Sequence, residues 1–245
     1  MRSRTPDDVV AHAAGAADLT ALDAAVADCF ACPRLVAWRE EVAATRRASF
    51  RHQEYWGRPV PGFGVPDAVL GILGLAPAAH GGNRTGRIFT GDRSGDVLFA
   101  ALHRAGLANQ PTSVAAGDGL ELRHTRIFAA VRCAPPDNKP LPVERDTCAP
   151  WLHRELALIA PTLRVVVALG AFAWAAWWPA MTAVYRVTAP APRPKFGHGA
   201  EVTVPGAPDL LGCFHVSQQN TFTGRLTPTM LDEVLARAKY RAGLA

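Results

Sequence analysis

The stretch AVLGILGLAPAAHGGNRTGRIFTGDRSGDVLFAALHRAGLA, residues 68–108, decides the fold. Its first eight residues (68–75) are apolar without alternation, the pattern of a strand buried on both faces of a parallel sheet. Its last fifteen (94–108) repeat apolar residues at helical spacing. Between the two lies a loop with glycines at 81, 82, 86 and 91 and arginines at 84, 87 and 93, so the whole reads as strand, loop and helix. The unit recurs along the chain. Apolar runs TRIFAAV (125–131), LRVVVALG (163–170) and DLLGCFHV (209–216) alternate with helix-like segments at 143–160 and 171–186. Such alternation predicts an α/β fold, a three-layer α/β/α sandwich around a four-stranded, mostly parallel sheet.

Two further helices, ALDAAVADCFAC (21–32) and PRLVAWREEVAATRR (33–47), precede the sheet. A last one, in 227–243, starts with Thr227 as N-cap and Pro228 at its first helical position. The Pro/Gly-rich excursion 189–206 reads as a loop or hairpin. We expect residues 21–245 to form one domain, with 1–20 as an N-terminal extension.

The 245 residues, 49% hydrophobic and 19% charged, suffice for one sizeable core. A net charge of +5 permits an anionic partner such as nucleic acid. The N-terminus has no apolar run of signal-peptide length, which predicts a cytoplasmic protein. The apolar stretch AFAWAAWWPAMTAV contains Pro179 and is too short to span a bilayer, so a buried helix and no membrane association are expected.

The chemistry gathers in the loops that follow the strands, because the carboxyl ends of parallel strands open onto one crevice. In the first loop, glycines permit close backbone approach and arginines fit phosphate oxygens. Phe89 there is either a core plug or a stacking platform for a planar base. No GxxxxGK[ST] or GxGxxG pattern is present. Cys29, Cys32, Cys133 and Cys148 offer four thiolates, suited to zinc or an iron–sulfur cluster, with unrelated core cysteines as the structural alternative. Cys213 belongs to an apolar strand. Asn138, in the CAPPDNKP loop, carries a donor and an acceptor that could read a pyrimidine edge, or simply forms a turn. His215 ends the last strand, and neither Ser217 nor Ser94 has the GxSxG context of a nucleophile.

Taken together, GLAPAAHGGNRTGRIFTGDRSGD, CAPPDNKP, FHVSQQNTFTGRLT and the four-cysteine layout resemble the uracil-DNA glycosylase superfamily, specifically its family 5, from about residue 26 to the C-terminal helix. The resemblance implies a monofunctional, monomeric enzyme that hydrolyses the N-glycosidic bond of uracil and other deaminated bases in DNA, initiating base excision repair. It implies a [4Fe–4S] cluster on Cys29, Cys32, Cys133 and Cys148. Gly74, Leu75, Ala76, Phe89, Asn138, His215 and Ser217 would surround the extruded nucleotide, with Phe89 stacked on its base. Arg84, Arg87, Ser217, Gln218, Gln219, Asn220 and Arg225 would contact DNA. His215 would donate to a base carbonyl, Asn138 would read the base, and Asp92 would serve the sugar side.

Two departures from the wider superfamily matter. Leu75 and Ala76 supply no carboxylate after the first motif's glycine, and His215-Val216-Ser217 stands where His-Pro-Ser is usual. Ala78 and Ala79 replace a large aromatic of the uracil-strict members, which implies a roomier pocket and acceptance of hypoxanthine. The rival readings are a non-catalytic binder of damaged DNA, a lyase using Lys139 as Schiff-base nucleophile, and a phosphate-binding metabolic enzyme.

Overall fold

The computed structural model describes residues 2–244. Strands β2 (Leu70–Gly74), β3 (Thr125–Ala129), β4 (Val165–Leu169) and β6 (Asp209–Cys213) form a parallel core in the order β3-β2-β4-β6. The sheet has six strands rather than the expected four. Two-residue strands β1 (Phe63–Gly64) and β5 (Glu201–Val202) pair antiparallel to β3 and β6 and close its edges. β5 comes from the Pro/Gly-rich excursion. Strands this short carry no hydrophobic periodicity, and covering the edges of a sheet protects otherwise unpaired backbone groups.

The apolar runs are two-sided because both faces are covered. Leu70, Ile72, Ile127, Val165, Val167 and Leu211 pack with α5 (Arg93–Arg104) and α9 (Pro228–Ala242). Leu73, Phe128, Val166, Ala168 and Leu210 face α6 (Pro142–Ile159) and α7 (Ala171–Tyr185). Trp177, Trp178 and Met181 of α7 are fully buried, so its apolar run is a core helix. No helix among the described residues is long and apolar enough to cross a membrane.

Outside α6 lie α1 (Pro6–Gly15) and α2 (Leu19–Ala27), while α3 (Pro33–Thr45) packs Leu35 against Val131 and Cys133 beyond the end of β3. Thr5 and Asp8 form a reciprocal capping box on α1, and Val9 and Ala13 bury themselves with Leu22, Val26, Cys148 and Trp151. The first helix is thus packed onto the body. α9 starts as its sequence predicts, with Thr227 Oγ1 accepting the Met230 amide at 3.3 Å.

The chain runs from β2 to β3 on one side and then crosses to β4 on the other. The connections after β2 and β4 therefore leave in opposite directions, and a crevice opens at the carboxyl ends of these strands.

Candidate functional site

A cleft of about 550 Å³ occupies that crevice. Leu75, Ala76 and Ala78 line it from the loop after β2, and Phe89, Asp92, Arg93 and Ser94 from the segment leading into α5. Asp137, Asn138 and Lys139 enter after β3, and His215, Ser217, Gln218 and Gln219 after β6. Residues more than a hundred positions apart meet because parallel strands deliver their carboxyl ends to one edge.

His215 and Phe89 form the inner wall, their ring centroids 6.2 Å apart. Burial pulls the His215 imidazole down to about 4, so it is neutral at physiological pH and offers one N–H donor. Its main chain is held by Asn220, whose side-chain amide donates to the His215 carbonyl at 2.7 Å. Phe89 is 7% exposed, adopts a left-handed φ of 51°, and rests its ring edge on Gly74, where a Cβ would sit 3.0 Å from two ring carbons. It is both core plug and cleft wall.

Asp92 caps α5, its Oδ1 accepting from the Gly95 amide at 3.0 Å. Its other oxygen lies against Gly81, where any side chain would overlap it. Burial pushes the carboxyl up, and the Gly95 and Ser94 amides pull it part of the way back. Asn138 ends a 3-10 turn (Pro136–Asn138) in left-handed conformation, φ 55°, which asparagine tolerates better than most residues, and its exposed side chain faces the cleft.

The glycine-rich loop answers to its own chain. Gly74 admits the Phe89 ring, Gly81 admits the Asp92 carboxylate, and Gly91 admits the Arg84 guanidinium. Arg84 and Arg87, expected at the DNA surface, are buried instead. Arg84 donates to the His80 carbonyl at 2.8 Å and to the Gly91 carbonyl at 2.6 Å. Arg87 donates through Nη2 to both carboxylate oxygens of Asp118, at 2.9 and 2.8 Å. Both brace the loop from within, and Arg93 is the arginine that reaches the cleft.

The segment after β6 stands out from the surface between two buried anchors, Val216 and Leu226. Ser217, Gln218 and Gln219 lie on the cleft rim, while Asn220 turns inward to hold His215. Arg225 stacks its guanidinium 4.6 Å from the Phe214 ring. Phe222, on the short helix α8 (Gln218–Phe222), is 70% exposed. Sequence reading missed it as a separate residue, although a bare aromatic among QQNTFTGR was the available signal.

Away from the cleft, Cys29, Cys32, Cys133 and Cys148 line one small pocket between α2, α3, the end of β3 and α6. Burial pushes all four thiols up, Cys32 to about 12 and Cys133 to about 11, and for Cys32, Cys133 and Cys148 the neighbouring cysteines add to the effect. Arg39 donates to Cys133 Sγ at 3.1 Å, and the Arg132 amide donates to Cys148 Sγ at 3.3 Å. Among the described residues no three His, Cys, Asp or Glu side chains converge on a point suited to a single ion. The cysteines surround a space instead. Cys213 is apart from them, in the core of β6.

Residues 61–239 match the uracil DNA glycosylase superfamily. The chain belongs to that superfamily. Over 233 residues it is 57% identical to the type-5 uracil-DNA glycosylase of Mycobacterium tuberculosis, covering 95% of this chain and 85% of the relative. The corresponding protein of Thermus thermophilus is 53% identical over 216 residues, 88% of this chain and 94% of the relative. That of Pyrobaculum aerophilum is 46% identical over 216 residues, 88% and 90%.

Proposed function

We propose that this chain is a monofunctional uracil-DNA glycosylase of type 5, cleaving the N-glycosidic bond of uracil in DNA by hydrolysis. The observation that carries the reading is the meeting, in one cleft, of a neutral buried histidine, an aromatic wall and a half-buried carboxylate. Breaking the bond leaves negative charge on the base and oxocarbenium character on the sugar. His215, neutral and fixed, donates its N–H to the base carbonyl as charge develops there. Phe89 stacks on the base, and Asn138 pairs with its edge. Asp92, one oxygen held by the Gly95 amide and the other lying against Gly81, faces the sugar side, where it orients water and stabilises the cation.

Extruding a nucleotide costs a few kcal/mol, least at a mismatch, which favours deaminated bases already mispaired. The exposed Phe222 takes the place vacated in the stack, a role apolar wedges perform in kinked DNA. Arg93, Arg225, Gln218 and Gln219 supply the surface contacts that Arg84 and Arg87, being buried, do not. Ala78 lines the cleft and Ala79 does not, so the room for a larger base lies at Ala78. Hypoxanthine is the further substrate this space admits.

The four cysteines fit a [4Fe–4S] cluster: all four line one common pocket, and such a cluster is held by four cysteine thiolates. Cys29 and Cys32 would hold it from the α2–α3 junction, Cys133 from the end of β3 and Cys148 from α6. When bound, the cluster supplies a rigid tie between the N-terminal helices and the loop bearing Asn138. Cysteines held as metal-binding thiolates rather than disulfides suit a reducing compartment, and we read the enzyme as a cytoplasmic monomer.

The test is single-turnover base release from oligonucleotides that each carry one deaminated base, followed by alkali cleavage of the abasic product. Uracil release that disappears in His215→Ala supports the reading; binding to uracil-containing DNA without any release overturns it.

A further inference from the structure

Arg39 has a strange place for a cation. Its side chain, on α3, is wholly buried. Its Nη1 donates to Cys133 Sγ at 3.1 Å and to the Cys29 carbonyl at 3.0 Å, while Nε and Nη2 have no hydrogen-bond partner. The guanidinium stacks over the Phe30 ring at 4.7 Å. Its ion pair among the described residues is a long one, 4.0 Å to Glu40, whose side chain is half exposed. The neighbouring buried arginines differ. Arg126 and Arg132 share the buried Glu155, and Arg126 also pairs with Asp23, so that group is balanced two against two. Arg39 is left without a buried anion, and burying an unpaired charge is strongly unfavourable.

The pocket beside it is lined by the four cysteines, and both Arg39 and Arg132 border it. Arg132 also carries two buried N–H groups, Nε and Nη1, without partners. A cluster bound by four thiolates carries net negative charge and presents sulfur acceptors, which is what these donors lack.

We propose that Arg39 is the counter-charge and hydrogen-bond donor of the cluster held by Cys29, Cys32, Cys133 and Cys148, governing how firmly iron is retained and favouring the cluster's more negative, reduced state. The inference rests on the iron–sulfur reading above. Reduction potentials of such centres follow net charge and hydrogen bonds to sulfur, so removing a buried cation lowers the potential. Partners outside the ligand set commonly alter metal affinity by about 10- to 100-fold.

The experiment compares iron-loaded wild type with Arg39→Met and Arg39→Lys, following bleaching of the cluster absorbance in excess chelator and the reduction potential by voltammetry. We expect Arg39→Met to bleach about 10-fold faster or more, with a potential more negative than wild type. Arg39→Lys, which keeps the charge and loses the fork, falls between. Should Arg39→Met not fold, Arg39→Lys decides alone: faster bleaching supports the proposal, and the wild-type rate overturns it. Iron-loaded variants with wild-type bleaching and potential overturn the role of Arg39 only. Wild-type protein that binds zinc or no metal overturns the cluster reading itself, and the role of Arg39 with it.

Discussion

At the scale of single residues, the cleft depends on what is neutral and what is small. The donor role proposed for His215 needs a neutral ring, and burial holds its pKa at about 4 against an ordinary 6.5. Losing such a donor slows chemistry by roughly 10² or more, so His215→Ala should lower single-turnover release to that extent with little change in DNA affinity. The same shift has a sign for stability. Between pH 6.5 and 4 the unfolded chain takes up a proton that the folded chain refuses, so stability present above 6.5 is lost as pH falls towards 4. His215→Ala should therefore show a shallower acid-side decline in denaturant unfolding than wild type; an unchanged slope would place the titration elsewhere. Gly81→Ala tests the carboxylate, since a methyl group at that position would displace Asp92. Its release rate should fall towards that of Asp92→Asn while DNA binding persists. Ala78→Tyr should suppress hypoxanthine release more than uracil release, measured side by side at enzyme excess.

Among the elements, the short segment after β6 carries most of the DNA contacts proposed above. It is pinned at Val216 and Leu226 and cross-braced by Asn220, yet it raises Phe222 into solvent. Phe222→Ala should leave the fold intact, because the ring buries little, and should slow excision from a U·A pair more than from a U·G mismatch, where less unpairing is needed. Equal losses on both substrates would argue against a wedge. The glycine-rich loop is the counterpart: its arginines are internal braces, and its glycines make room for Phe89, Asp92 and Arg84.

Across the whole molecule, a buried charged seam joins the sheet to the outer helices. Glu155 of α6 accepts from Arg126 of β3 and from Arg132, and Arg126 reaches Asp23 of α2 at 3.1 Å. Removing one member of a buried pair commonly costs about 3–5 kcal/mol. Glu155→Gln should lose stability on that scale in urea unfolding, far more than a change at the exposed Arg104–Asp232 pair. The seam adjoins the cysteine pocket through Arg132, which lines it.

The sequence by itself determined the four parallel strands, the main helices, the α9 cap and the loops that converge on the cleft. These follow from local periodicity and from the rule that parallel strands open at one end. It also named His215, Asp92, Asn138, Phe89 and the four cysteines, through motifs long enough to carry a family resemblance. Only the tertiary structure decided which side chains are free to act. Arg84 and Arg87 look like DNA contacts in a glycine-rich loop, but His80, Gly91 and Asp118, brought near by folding, bury and occupy them. Arg39 looks like one of many charges on a helix until the fold encloses it beside the thiols. The physical reason is the same in both cases: hydrogen-bond partners and burial belong to contacts between distant parts of the chain, and no local pattern records them.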